Sequence, residues 1–332
     1  MSRLQRHISI LAIILSIGGM LSMSGMAKAE LRTTTSPDAL CSNGEQATYA
    51  YFEGTSNDWL VYILGGGVAA NADQYRNRQK RFTEPQDTDD FGPWVDLVRD
   101  FIDEGFNTIV IDYCTSDLHQ GFHTHIIDGE TVYFHGRKIV ENIIETHKIQ
   151  LSNADRLVFA GYSAGSIALG FNADLIAQFP NPYVIADSFW LDKVSLNVRL
   201  GWTEGPWKNI TKFVYGNMPA HCKGKHWAHC FPSRPLFTKH GIKNVFPIWN
   251  IGDSYGRHGD QDQLKKEIIS DIEHYGAGYS IDARAKQIKA FGEWGHVLTA
   301  NEHYWQTIDG VVLRDLIWNW LNGEGQTLHI SH

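Results

Sequence analysis

Short apolar runs alternating with segments of helical periodicity are what most restrict the folds open to this chain. Residues 59–64 (Trp-Leu-Val-Tyr-Ile-Leu), 107–112 and 155–160 are rich in β-branched and aromatic side chains, as strands buried on both faces are. Between the first two, residues 93–104 place Trp94, Val95, Leu97, Val98, Phe101 and Ile102 at helical spacing and stop at Gly105. Residues 136–147 repeat that spacing through Ile139, Val140, Ile143 and Ile144. Further strands are predicted over 183–186, 245–250 and 287–291, the second weakened by Pro247, and helices over 164–178 and 302–321. Such alternation predicts an α/β fold: a mainly parallel sheet with helices on both faces. No Pro/Gly/Ser-rich linker divides it, so residues 30–332 are expected to form one domain.

The first 29 residues stand apart. Arg3, Arg6 and His7 precede an apolar run from Ile8 to Leu21, and Ala27-Lys28-Ala29 supplies the small residues a signal peptidase reads. The run is shorter than the roughly 20 residues that span a bilayer. Cleavage after Ala29 and export, secreted or periplasmic, are expected rather than a retained anchor.

With 43% hydrophobic and 20% charged residues, the chain is not of the disordered or low-complexity class, and nothing repeats at a fixed period. A formal net charge of -8 disfavours electrostatic binding of nucleic acid.

Gly161-Tyr162-Ser163-Ala164-Gly165 follows the strand at 155–160 directly and opens the helix at Ala164. A Gly-x-Ser-x-Gly pattern in that context predicts a sharp strand-to-helix turn exposing the Ser163 hydroxyl as a nucleophile. An unactivated serine is a poor nucleophile, so a base must follow, and this arrangement delivers its partners in the order Ser, acid, His. His296, in Gly292-Glu293-Trp294-Gly295-His296 after a late strand, is the candidate base. Asp253, just after the strand at 245–250, is the candidate acid; Asp260 and Asp262 are rivals deeper in the following segment. The glycine run after the first strand supplies candidate oxyanion donors, the backbone N–H groups of Gly66, Gly67 and Val68, together with Ala164. No Lys-Ser/Thr follows those glycines, which excludes a phosphate-binding loop.

Residues 196–243 break the alternation and hold Trp202, Trp207, Trp227, several histidines and the pair Cys222 and Cys230. A lid over the active site and a merely structural excursion are both compatible with such an insertion. The cysteine pair is read as a disulfide in preference to a zinc site, whose paired spacings are usually tighter. Cys41 and Cys114 remain, with a pairing that arithmetic alone allows. His119, His123 and His125 cluster off any recognisable helix and are read as a solvated loop near the site's rim, not as metal ligands.

Taken together, these residues resemble the pectin acetylesterase–Notum family of carboxylesterases. The resemblance spans residues 41–321. It rests on Cys41-Ser-Asn-Gly44, Gly65-Gly66-Gly67, Tyr113-Cys114-Thr115-Ser116-Asp117, Tyr133-Phe134-His135-Gly136, the Ser163 motif, and Ala186-Asp187-Ser188-Phe189-Trp190-Leu191-Asp192. Cys222 and Cys230 resemble a pair that the family places before its acid-bearing strand. The resemblance implies an exported α/β-hydrolase-like enzyme needing no cofactor, with Ser163, Asp253 and His296 as the triad. It also implies an acylated small molecule or polysaccharide, such as acetylated pectin, as substrate; a lipase-like preference for longer acyl chains is the alternative, and a non-catalytic carbohydrate-binding role a further one. Val68 stands where the family usually has Trp, Ala69 and Ala70 where a Cys is frequent, and Ser166 where Gly is common. The Asp187-Ser188 stretch is one Gly short of the family pattern. Of these departures, Val68 bears on the shape of the acyl pocket.

Overall fold

A computed structural model describes residues 28–82, 84–85, 95–188, 233–251, 261–281, 297–300 and 302–330. Its centre is a nine-stranded sheet in the order β1-β2-β4-β3-β7-β8-β9-β10-β13. The strands are β1 (Glu30–Thr33), β2 (Thr48–Phe52), β3 (Trp59–Ile63), β4 (Asn107–Ile111), β7 (Leu157–Tyr162), β8 (Tyr183–Asp187), β9 (Asn244–Asn250), β10 (Gly278–Ile281) and β13 (Leu328–Ile330). From β4 to β13 every pairing is parallel, while β1 and β2 join one edge antiparallel. Every residue of β3 and β4 is buried, which is why those stretches read as continuous apolar runs rather than alternating ones. This mostly parallel sheet with its helices is the α/β-hydrolase-like architecture the sequence predicts.

The registers bring Ile63 beside Gly161 and Ile111, and Tyr162 beside Asp187. The C-terminal ends of β3, β4, β7 and β8 therefore lie side by side at one edge, where α/β sheets place their ligand sites. Pro247 is accommodated inside β9; it falls where the β9–β10 ladder begins, with Tyr279 opposite Ile248 as the first pair.

Several elements differ from expectation. The predicted helix over 164–178 breaks after Phe171 at Asn172, and a short turn of helix, Ala173–Ile176, follows. Asn172 is fully buried, donating to the carbonyls of Ala168 (2.8 Å) and His119 (3.2 Å). The predicted helix over 302–321 is a 3-10 turn, Glu302–Tyr304, a hairpin of β11 (Thr307–Ile308) and β12 (Val311–Val312), and only then a helix, Leu313–Asn322. Asp309 and Gly310 have φ of 56° and 79°, the pair of left-handed residues that a two-residue hairpin turn requires.

Nor are the histidines a solvated loop. His123 and His125 lie on β5 (His123–Ile127), which pairs antiparallel with β6 (Glu130–Phe134) through another left-handed pair, Asp128-Gly129. His119 is fully buried.

Of the insertion over 196–243, residues 233–239 form a helix, Ser233–Lys239, packed against the helix that follows Ser163, with Leu236 and Phe237 buried. That part belongs to the core layer. Residues 196–232, the cysteines Cys222 and Cys230, and the predicted strand over 287–291 lie outside the described residues.

Cys41 and Cys114 form a disulfide. Next to it Ser42 donates through its N–H to the Cys114 carbonyl (3.0 Å) and through its hydroxyl to the Thr115 carbonyl (3.2 Å). The N-terminal segment is thereby fastened to the loop leaving β4. On another side of the core, buried Asp100 accepts from Tyr304 Oη (2.8 Å), Trp318 Nε1 (2.6 Å) and Arg314 Nε (2.9 Å), fixing the last helix to the helix Asp96–Asp103. Among the described residues no helix is long and apolar enough to cross a membrane.

Candidate active site

Ser163 sits at the turn between β7 and the helix Ala164–Phe171, with φ 51° and ψ -119°. A non-glycine residue in that left-handed region is strained, and such strain persists only where the surroundings enforce it. Here glycines permit the close approach that enforces it. A Cβ at Gly165 would lie 2.0 Å from the Ile63 carbonyl oxygen, and one at Gly161 would lie 2.8 Å from the Gly165 carbonyl carbon. The elbow is thus clamped between β3 and its own helix. The Ser163 N–H is held by the Asp187 carbonyl at 3.0 Å, which ties the turn to β8 as well. Ser163 is half-buried and Ala164 opens the helix behind it, so the helix N-terminus faces the site with its N–H groups and partial positive charge.

The loop leaving β3 lies against this turn. A Cβ at Gly65 would meet the Tyr162 carbonyl oxygen at 2.3 Å and the Ala164 nitrogen at 3.1 Å, so glycine is needed for the approach. Gly66, Gly67 and Val68 follow, all half-buried, and Gly67 has φ 79°. Four consecutive carbonyls in this stretch accept from side chains. His119 Nε2 donates to Leu64 O (2.9 Å), Tyr162 Oη to Gly65 O (3.2 Å), Arg78 Nη1 to Gly66 O, and Tyr113 Oη to Gly67 O.

Two of those donors come from the loop after β4. Its organiser is Asp117, fully buried, whose carboxylate accepts from Thr115 Oγ1 (2.5 Å), His119 N (2.9 Å), Gly121 N (3.1 Å) and Gly136 N (2.8 Å). Val68 forms a bridge with Asp117, and the Ala69 N–H donates to the Ser116 carbonyl (2.9 Å). Burial lowers the His119 pKa, against the opposing pull of Asp117 and the Leu64 hydrogen bond, so the ring is neutral with its proton on Nε2. The third donor, Arg78, comes from the helix Ala72–Phe82. That helix is pinned by a bidentate Arg76–Asp128 pair (2.6 Å each) to the β5–β6 turn.

Asp187 and Ser188 join the elbow to the segment that follows His296 in sequence. The Asp187 carboxylate accepts from Thr299 N and Thr299 Oγ1, both at 2.7 Å, and Ser188 Oγ accepts from Val297 N at 3.1 Å. All four residues are buried, and Val297 is in the left-handed region with φ 68°.

Of the residues selected from sequence, Ser163 and Ala164 form the elbow, and Gly66, Gly67 and Val68 follow Gly65, the loop residue that packs on it; Asp253 and His296 lie outside the described residues. Ile251, the residue after β9, ends that described stretch two positions before Asp253, and Val297 directly follows His296. The rival Asp262 is an exposed residue in the first turn of the helix Gln261–Tyr275. Among the described residues no group of three or more His, Cys, Asp or Glu side chains is arranged to hold a metal. Sequence reasoning gave no role to Arg78, Tyr113, Asp187 or Thr299, because their partners are tertiary: the Gly66 and Gly67 carbonyls for the first two, and each other for the last two.

Comparison with known proteins agrees with this architecture. A family model described as Pectinacetylesterase matches residues 97–195, a stretch holding the Asp117 loop, the Ser163 elbow and Asp187. Over 251 residues the chain is 25% identical to the palmitoleoyl-protein carboxylesterase NOTUM of Schmidtea mediterranea, covering 66% of this chain and 47% of that protein. Over 264 residues it is 23% identical to Pectin acetylesterase 4 of Arabidopsis thaliana, covering 70% of this chain and 59% of that protein. The matches thus span about half the length of these relatives. The chain is thus similar to the pectin acetylesterase–Notum family of carboxylic ester hydrolases.

Proposed function

We propose that this protein is an exported serine carboxylesterase that removes O-acyl groups, acetyl foremost, from a polysaccharide such as pectin. The observation that carries the reading is the strained Ser163 elbow facing a glycine loop whose carbonyls are all tied to side chains. Ser163 Oγ attacks the ester carbonyl carbon while His296 takes its proton, and Asp253 holds the imidazole and stabilises its charged form. The N–H groups of Gly66, Gly67, Val68 and Ala164 receive the oxyanion. His296 then returns the proton to the leaving alkoxide, and water activated by the same imidazole hydrolyses the acyl-enzyme. This sequence of steps needs no cofactor.

Export, with cleavage after Ala29, is supported by the leader's composition and by the buried Cys41–Cys114 disulfide, which suits an oxidising compartment. A longer acyl chain is the competing substrate reading. Its support is Val68, half-buried beside the glycines, where removal of an indole reshapes the pocket. Turnover of nitrophenyl esters from acetate to palmitate by the parent and by Ser163→Ala tests both. A maximum at acetate, abolished in the variant, supports the proposal. A maximum at octanoate or beyond replaces the acetyl reading, and full turnover by Ser163→Ala overturns the mechanism.

A further inference from the structure

We propose that Arg78 and Tyr113 are positioning residues of the oxyanion site, setting the direction of the Gly67 and Val68 N–H groups by holding the carbonyls on the other side of the same peptide bonds. The inference rests on the reading of these N–H groups as oxyanion donors.

In a planar trans peptide the C=O of one residue and the N–H of the next point in opposite directions. Fixing the Gly66 carbonyl therefore aims the Gly67 N–H, and fixing the Gly67 carbonyl aims the Val68 N–H. Such fixing is needed here because a run of three glycines has the least conformational preference of any backbone. A peptide flip in it would present a carbonyl oxygen, not an N–H, to the developing anion. Arg78 Nη1 donates to Gly66 O and Tyr113 Oη to Gly67 O, so each flip would break a side-chain hydrogen bond.

The direction of the Tyr113 bond is settled by its other partner. The Leu118 N–H donates to Tyr113 Oη at 2.9 Å, so the single hydroxyl proton is left for Gly67 O. The side chain is buried, and burial pushes its phenol far above the ordinary range, so the proton stays in place at every working pH. Arg78 contributes charge as well as direction. Its guanidinium packs directly on the loop, since a Cβ at Gly67 would lie 2.7 Å from Nη2. A cationic donor on a carbonyl polarises that peptide and strengthens the donor on its far side.

Tyr162 does the same for the Gly65 carbonyl, and so for the Gly66 N–H, and His119 for the Leu64 carbonyl one peptide earlier; Arg78 and Tyr113 act on the two peptides that follow. Arg78 stands on the helix Ala72–Phe82 and Tyr113 on the Asp117 loop, so two separately built elements converge on adjacent peptides.

The test uses Tyr113→Phe, which deletes one oxygen atom, and Arg78→Met with Arg78→Lys as the conservative variant, all on a half-buried or locally packed position. Each is assayed on nitrophenyl acetate, for inhibition by a trifluoromethyl ketone that forms a charged tetrahedral adduct, and for melting temperature. The expected result is a fall in kcat of roughly 10- to 100-fold with KM within about twofold. The inhibition constant should rise in parallel, the variants should remain folded, and Arg78→Lys should recover part of the loss. Should Tyr113→Phe fail to fold, the Arg78 pair gives the same readout. Unchanged kcat and inhibitor affinity in folded variants, with turnover lost in Ser163→Ala, overturns this inference and leaves the esterase reading intact. Turnover that survives Ser163→Ala overturns both.

Discussion

Replacing Gly165 by alanine adds one methyl group where the helix behind Ser163 comes closest to β3. The new Cβ would lie 2.0 Å from the Ile63 carbonyl oxygen, 2.8 Å from its carbon and 2.9 Å from the Leu64 carbonyl oxygen. All three are backbone atoms, two of them in a central, buried strand and the third in the residue after it, so no side-chain rotation relieves the overlap. Restoring a tolerable contact requires the elbow helix to withdraw by about 1 Å, and a displacement of that size at a catalytic group costs about 100-fold in rate. That corresponds to about 2.7 kcal/mol of transition-state stabilisation. Overpacking of this kind also destabilises a core by about 1–3 kcal/mol. The assay is kcat/KM on nitrophenyl acetate well below the variant's melting temperature, alongside the melting temperature itself. A Gly165→Ala protein that is folded and within about threefold of the parent in kcat/KM would refute the argument that β3 clamps the elbow.

Other outcomes follow from the same geometry. Thr299→Val removes a 2.7 Å hydrogen bond to the buried Asp187 carboxylate and should cost about 1.5–3 kcal/mol in chemical denaturation. Because that segment follows His296 directly, the rate of fluorophosphonate labelling should fall too. Asp100→Ala strips three donors of their acceptor, the partly exposed Arg314 among them, and should cost about 3 kcal/mol in urea melts, with little change in kcat. Reduction of Cys41–Cys114 opens a link across 73 residues and should lower stability by about 4 kcal/mol on the chain-entropy model. His147 is buried, and burial foremost, with Arg32 adding, lowers its pKa from 6.5 to about 4. The unfolded chain then takes up the proton first, so stability is present above about pH 6.5 and is lost as pH falls towards about 4. His147→Gln should flatten that limb of a melting-temperature profile, and an unchanged profile would remove His147 as its source.

The sheet's centre and the elbow were legible because their signals are local. β3, β4 and β7 are continuous apolar runs, and Gly161-Tyr162-Ser163-Ala164-Gly165 carries both its strand and its helix in the flanking residues. The helix Ala72–Phe82 escaped prediction because it is polar almost throughout, so no apolar stripe betrays it. The hairpin turns at Asp128-Gly129 and Asp309-Gly310 did carry a readable signal, Asp-Gly between candidate strands, which helical and loop readings overrode. His119 looked like one of a polar cluster because its partner, the Leu64 carbonyl, is 55 residues away and belongs to the backbone, which has no sequence signature. The same holds for Arg78 and Tyr113, while Thr299 meets the Asp187 carboxylate 112 residues away. Their roles depend on tertiary contacts between loops that the sheet brings to one edge.

Whether Ser163 is an activated nucleophile is the claim on which the rest depends. The most direct measurement is the intact mass of protein lacking residues 1–29 after incubation with a fluorophosphonate, followed by peptide mapping of the adduct. The account predicts one adduct per chain, located on Ser163 and absent in Ser163→Ala. A folded parent that stays unlabelled, or an adduct that persists in Ser163→Ala, would contradict it.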